Sequence, residues 1–190
     1  MFEKFFPDLI VNSIQDIDLE DLKERGIKGL VLDIDNTLVA QFTKDASVDV
    51  VEWIEKVKAA GLLPCILSNA SEKRVIDFNS SLSIPAIHRA YKPSPRSFLR
   101  AAEILGIESN RVAAVGDQLF TDIYGGNRTN MFTILVRPID KKEILFVKLK
   151  RHVERFVLAK HSKLKLNKHS NIKRAKWKEK SAVKYSASKK

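Results

Sequence analysis

Gly29-Leu30-Val31-Leu32-Asp33-Ile34-Asp35-Asn36-Thr37 decides how this chain is read. An apolar run passes abruptly into a polar turn, the pattern of a buried strand and the loop that leaves it. Asp33 and Asp35 stand two residues apart at the strand's mouth. Carboxylates this close repel each other, and neither is buried cheaply without a counter-charge. Packing has no use for such a pair. A centre that binds a metal and attacks phosphorus does.

Outward from that turn, strand-like and helix-like segments alternate over residues 48–136. Residues 48–60 place Val51, Ile54 and Val57 on one helical face and stop at Gly61. Residues 62–67 read as a short buried strand. Residues 71–78 open on a cap residue, Ser71, followed by Glu72, and read as a helix. A short strand is expected at 84–88, a helix at 95–105 ending at Gly106, a strand at 111–115, a helix over 119–125 and a last strand at 131–136. Alternation of this kind implies an α/β fold, a mainly parallel sheet covered by helices on both faces. Ligands of such sheets gather at the carboxyl ends of the strands. Asp33 and Asp35 follow the first strand, Ser68-Asn69 the second, Lys92 the strand at 84–88, and Asp117 the strand at 111–115. Turns favour Ser, Asn and Asp in any case, so one coincidence means little. Four in succession at one edge define a candidate site.

Phosphoryl transfer to a carboxylate needs a nucleophile, a general acid, a metal and a positive group on the phosphate oxygens. Asp33, first beyond the strand, is the candidate nucleophile. Asp35 is placed to protonate the leaving oxygen and then to activate water. Asp117, with Asp33 and a backbone carbonyl, offers the hard oxygen donors that suit Mg²⁺, and Asp122 is a further acidic ligand or an orienter of one. The acidic residues assigned to the metal are thus Asp33, Asp35, Asp117 and Asp122. Lys92 offsets the charge of nucleophile and phosphate, and Ser68, Asn69 and Thr37 form the substrate-binding group. Thr37 is also expected to hydrogen-bond within the turn and hold Asp35 in place. His88, Arg89 and Tyr91, close to Lys92, read either as scaffold or as substrate contacts.

LDIDNTL at 32–38 resembles the DxDxT first motif of the haloacid dehalogenase (HAD) phosphatases. LSN at 67–69 is similar to their second motif, Lys92-Pro93 to the third, and GDQLFTD at 116–122 to the fourth. The ordered set is far more specific than DxDxT alone. The resemblance implies a Rossmann-like HAD fold, Mg²⁺ and an aspartyl-phosphate intermediate. Within the family, the second acid at Asp35 is the mark of phosphatases rather than true dehalogenases. Together with residues 7–39, the motifs resemble the YqeG-type branch of HAD subfamily IIIA, over roughly residues 5–158. That branch is related to phosphatidylglycerophosphate phosphatases, so removal of the terminal phosphate of that lipid is the implied reaction. HAD enzymes often carry a cap domain after the first or second motif. Only residues 39–47 follow the first motif here, and residues 70–91 leave room for one helix and one strand, so a capless enzyme is expected. An open site admits a lipid headgroup, a nucleic-acid end or a phosphoprotein; alternatively another subunit of an oligomer covers it, as for sugar phosphates.

Composition bounds the remaining choices. Of 190 residues, 44% are apolar, enough for a real core. The single Cys65 lies in an apolar run; it excludes an intrachain disulfide or a multi-cysteine zinc site and reads as a buried strand thiol. The N-terminus lacks a secretory pattern, and no apolar stretch approaches the roughly 18 residues of a membrane span. The net charge of +11 resides wholly in residues 160–190, which hold 12 Lys/Arg and one acid, Glu179. A HAD domain over 1–159 and a basic, disordered tail over 160–190 are expected, with a helix at 141–159 that either packs on the domain or meets anionic lipid. Such a tail attracts anionic membranes and RNA equally well. The expected location is cytoplasmic, peripheral at the inner face of the membrane; a competing reading is an RNA- or ribosome-associated protein.

Overall fold

The computed structural model describes residues 2–140. The chain divides into a unit Met1–Ile144 and a unit Leu145–Lys190. The helix expected at 141–159, the tail at 160–190 and the boundary between them lie outside the described residues.

Strand β1 (Leu9–Val11) and helix α1 (Leu19–Glu24) precede β2 (Gly29–Leu32). Then follow α2 (Val48–Ala59), β3 (Leu63–Leu67), α3 (Glu72–Asn79), β4 (Ala86–Ile87) and α4 (Pro95–Leu105). β5 (Val112–Gly116), a π-helical turn (Leu119–Ile123), α5 (Tyr124–Arg128) and β6 (Phe132–Val136) complete the unit. The six strands form one sheet in the order β1-β6-β5-β2-β3-β4, and every neighbouring pair is parallel. β2 is central: Val31 is in register with Cys65 on one side and Ala114 on the other.

The two faces of β2 alternate as a strand must. Leu30, Leu32 and Ile34 enter one cluster with Trp53, Ile54 and Val57 of α2. Val31 enters the other, with Phe98, Ala101 and Ala102 of α4. Each such fully buried side chain contributes about 1.5–3 kcal/mol. The helices start and stop where their end residues direct. Ser47 caps α2 by accepting from the Val50 N–H at 3.4 Å, Pro95 opens α4, and Gly106 closes α4 in the left-handed region at φ 66°.

Three features depart from the reading of the sequence. The buried face of α2 is Val50, Trp53, Ile54 and Val57, while Val51 is only half-buried. The segment from Leu119 is not one α-helix; it opens as the π-helical turn and becomes α-helical only at Tyr124. The widened turn brings Asp122 back over Gly116. Finally, β1 is a sheet strand. Its three residues carry too short a pattern to read, and long-range bonds fix it: Asp8 Oδ2 accepts from the Thr133 N–H at 2.8 Å and its hydroxyl at 3.0 Å. Between Val39 and Val48 there is neither helix nor strand, so no cap domain covers the carboxyl edge there. No described helix is long and apolar enough to cross a membrane.

Candidate active site

The carboxyl ends of β2, β4 and β5 bring three of the singled-out side chains into direct contact or close approach. Asp33 continues β2 by donating its N–H to Val115 O at 3.0 Å, which aims its side chain out of the sheet edge. Lys92 Nζ lies 2.7 Å from Asp33 Oδ1 and 2.6 Å from Asp122 Oδ1. All three side chains are buried, with exposures of 3%, 9% and 4% for Lys92, Asp33 and Asp122. The other oxygen of Asp122 accepts from the Gln118 N–H and the Thr121 hydroxyl, each at 3.2 Å. Carboxylate oxygens of Asp33, Asp117 and Asp122 lie within 4.8 Å of one another. Gly116 makes this convergence sterically possible, because a Cβ there would sit 2.2 Å from Asp122 Cγ.

Burial dominates the electrostatics of the cluster. It pushes Asp33 up to about 7, against the pull of Lys92, and the charges of Asp122 and Asp35 push the same way. Burial also opposes the charge on Lys92, but the carboxylates of Asp122 and Asp33 outweigh it and hold the ammonium above the ordinary lysine range. The lysine is therefore charged throughout the physiological range. Three close, buried oxygen donors from carboxylates fit a hard divalent cation, with room in its shell for water and a phosphate oxygen.

The remaining predicted residues divide. Ser68 is buried, and its hydroxyl accepts from the Ala70 N–H at 3.1 Å, which leaves its own proton for an acceptor. Asn69 spends both ends of its carboxamide on the backbone of Lys92: Oδ1 accepts from Lys92 N–H at 2.7 Å and Nδ2 donates to Lys92 O at 3.3 Å. It fixes where the lysine stands. The Thr37 hydroxyl is buried and has no hydrogen-bond partner among the described residues; only its backbone N–H bonds within the turn, to Ile34 O at 3.3 Å. The expectation that this hydroxyl ties down Asp35 is corrected.

Asp35 is held by a residue the sequence did not single out. Arg74 Nη2 donates to Asp35 Oδ1 at 3.1 Å, while its Nη1 donates to Lys44 O at 3.1 Å. Asp35 is not among the carboxylates of the cluster formed by Asp33, Asp117 and Asp122. Arg74 sits in Glu72-Lys73-Arg74, the first turn of α3, which reads as an ordinary solvated helix start. Only the proximity of that turn to the loop after β2 would have exposed its part. Cys65 is a buried free thiol, pushed up to about 12 by burial, in keeping with a structural role.

The HAD-hydrolase-like family model matches residues 90–138, the stretch from Lys92 through β6. The chain is 41% identical over 160 residues to the probable phosphatase YqeG of Bacillus subtilis, covering 84% of this chain and 93% of that protein. This chain belongs to the HAD phosphatase family. It is 32% identical to the chloroplastic/mitochondrial phosphatidylglycerophosphate phosphatase 1 of Arabidopsis thaliana, over 80% of this chain but 46% of that protein. The cobalt-bound deoxy-D-mannose-octulosonate 8-phosphate phosphatase of Haemophilus influenzae shares the HAD fold, with a TM-score of 0.50 at 14% identity over 72% of this chain and 90% of that one. HAD phosphatases generally use a divalent metal, and the buried Asp33, Asp117 and Asp122 are a group that could hold one.

Proposed function

We propose that this HAD phosphatase is a Mg²⁺-dependent phosphomonoester hydrolase that works through a phosphorylated Asp33 and acts on phosphatidylglycerophosphate. The observation that carries the reaction type is the buried Asp33–Lys92–Asp122 array beside Asp117. Asp33 attacks phosphorus through a carboxylate oxygen, and the bond to the leaving oxygen breaks. Asp35 gives its proton to that oxygen, so the leaving group departs as an alcohol. Asp35 then takes a proton from water, which attacks the phosphorus and releases phosphate and free Asp33. Lys92 balances charge on Asp33 and the phosphoryl oxygens, Ser68 donates to one of those oxygens, and Asn69 keeps Lys92 in register. Asp33, Asp117 and Asp122 would hold the cation, which supplies charge neutralisation at the phosphate.

The lipid substrate is supported by the similarity to phosphatidylglycerophosphate phosphatase and by the open edge. Phe42, in the loop after the first motif, and Tyr91, beside Lys92, are each 77% exposed and present apolar surface there. A peripheral location at an anionic membrane follows from the same reading, with the basic residues 160–190 as its electrostatic anchor.

The test is a phosphomonoesterase panel that includes phosphatidylglycerophosphate, with and without Mg²⁺, on wild type and Asp33→Asn. Turnover that needs Mg²⁺ and vanishes in a folded Asp33→Asn supports the reaction; undiminished turnover in that variant refutes the nucleophile. Preference for a soluble sugar phosphate or a nucleic-acid end would replace the lipid and leave the chemistry.

A further inference from the structure

The loop before Lys92 and the first turns of α4 enclose a second cavity, of about 300 Å³. His88, Arg89, Tyr91, Ser94, Arg96 and Arg100 line it together with small and apolar residues, and no carboxylate does. Two arginines of the unit are ion-paired, Arg25 with Asp21 and Arg74 with Asp35, and Arg111 and Arg128 donate to backbone carbonyls. Among the described residues Arg89, Arg96 and Arg100 have no ion-pair partner; Arg89 also borders a neighbouring cavity that Glu72 and Asp77 line, and Glu72 faces His88 at 3.7 Å. Three guanidinium groups around one concavity repel one another, a cost that an anion between them removes.

The backbone is bent to present this wall. Arg89 and Tyr91 lie in the left-handed region, at φ 45° and 53°. For residues with a Cβ this costs about 1–2 kcal/mol each. Between them Ala90 is buried and donates its N–H to Ser68 O at 3.0 Å, so the flanking side chains are turned outward. Arg89 precedes Lys92 by three residues, so their Cα atoms are at most about 10 Å apart. The cavity wall thus adjoins, along the chain, the lysine that contacts Asp33 at 2.7 Å.

We propose that this cavity is an anion subsite for the second, non-scissile phosphate of the substrate: the phosphodiester of a glycerophospholipid headgroup whose terminal phosphate is at Asp33. The planar forks of Arg89, Arg96 and Arg100 match two diester oxygens. The inference rests on the phosphomonoesterase reading of Asp33 and deepens it, because it selects substrates with two phosphates over those with one.

Two measurements test it. In full-length Asp33→Asn, titration with glycerophosphoglycerol, a diester without a terminal phosphate, is followed through the arginine Nε–H resonances. Saturable shifts of Arg89, Arg96 and Arg100 that disappear in Arg96→Gln/Arg100→Gln support the subsite. No shift, or shifts with inorganic phosphate alone, overturns it whatever the enzyme hydrolyses. In the otherwise wild-type enzyme, Arg96→Gln/Arg100→Gln should lower kcat/KM for short-chain phosphatidylglycerophosphate at least tenfold more than for p-nitrophenyl phosphate, chiefly through KM. Equal losses on both, or the greatest loss on a 5′-phosphorylated dinucleotide, overturn it. Intact shifts in a protein that turns over no phosphomonoester would support the subsite and refute only the chemistry assigned to Asp33.

Discussion

Replacing Gly116 by alanine should dismantle the site without touching a charged residue. Its φ lies outside the left-handed region, so only space forbids a side chain. A methyl group there would stand 2.2 Å from Cγ, 2.4 Å from Cβ and 2.5 Å from Oδ2 of Asp122, where ordinary contact begins at 3.4 Å. Asp122 must therefore move by an ångström or more. Its carboxylate is tied to Lys92 at 2.6 Å and to the Gln118 N–H and Thr121 hydroxyl at 3.2 Å, and no shift of that size keeps all three. Overpacking alone costs about 1–3 kcal/mol. Parting a buried ion pair costs about 3–5 kcal/mol when one partner is deleted, and less when it is only displaced. A combined loss of about 3 kcal/mol is expected; with a urea slope of about 2 kcal/mol/M the unfolding midpoint falls by roughly 1.5 M. Urea denaturation followed by circular dichroism measures this, and calorimetric titration with Mg²⁺ should show weakened binding. Asp122→Gly removes all three clashing atoms, so Gly116→Ala should cost at least about 1 kcal/mol less in that background. A Gly116→Ala midpoint equal to that of the wild type, or the same loss in both backgrounds, would refute the steric argument.

Other outcomes follow from the same geometry. Lys92→Met leaves Asp33 and Asp122 buried without their cation, and should cost about 3–5 kcal/mol at neutral pH and less near pH 5, as denaturation at the two pH values would show. Without metal, the wild type itself should lose stability as pH rises from about 4 to about 7: Asp33, raised to about 7 chiefly by burial, holds a proton that the unfolded chain releases near 3.8. Thermal unfolding across that window should reveal the fall, and Mg²⁺, which binds the ionised carboxylates, should offset it most at the upper end. Arg74→Gln frees Asp35 from its ion pair and should slow alkyl phosphates about tenfold while sparing aryl phosphates, whose leaving groups need less help from an acid; equal rates on both would remove Arg74 as a positioning residue. Phe5 stacks on Tyr124 at 4.5 Å and meets Phe120 edge-on at 5.4 Å, so Phe5→Ala should destabilise the segment that carries Asp122 by about 1–2 kcal/mol, read from the urea midpoint.

What could be read in advance was what repeats along the chain or stands at the end of a strand. β2, β3, β5 and β6 are apolar runs closed by polar turns, and Asp33, Ser68 and Asp117 lie just beyond three of them. α4 was legible to the residue because Pro95 and Gly106 bracket it. The illegible parts depend on contacts between distant segments. Arg74 is 39 residues from Asp35, and β1 is held by bonds from Asp8 to Thr133, 125 residues away. The π-helical turn was illegible for another reason. Leu119–Ile123 carries no local breaker, and its widened turn accompanies long-range contacts of Asp122 with Lys92 and over Gly116.

The pair that opens the site, Asp33 and Asp35, is separated by environment rather than by sequence. Asp33 is enclosed with Asp117 and Asp122, and Lys92 is the cation that touches it. With Asp33 ionised, three carboxylates and one ammonium would leave a net charge of −2 in a buried space, which a divalent cation would neutralise. Such a cation would also favour the ionised form of Asp33, the form that the proposed attack on phosphorus needs. Asp35, a third exposed, faces Arg74 and the solvent-open edge instead. That position is the one the proposed acid and base role of Asp35 requires. One carboxylate is buried against Lys92, the other is a third exposed beside Arg74, and the single residue between them, Ile34, is fully buried and anchors that division to the core.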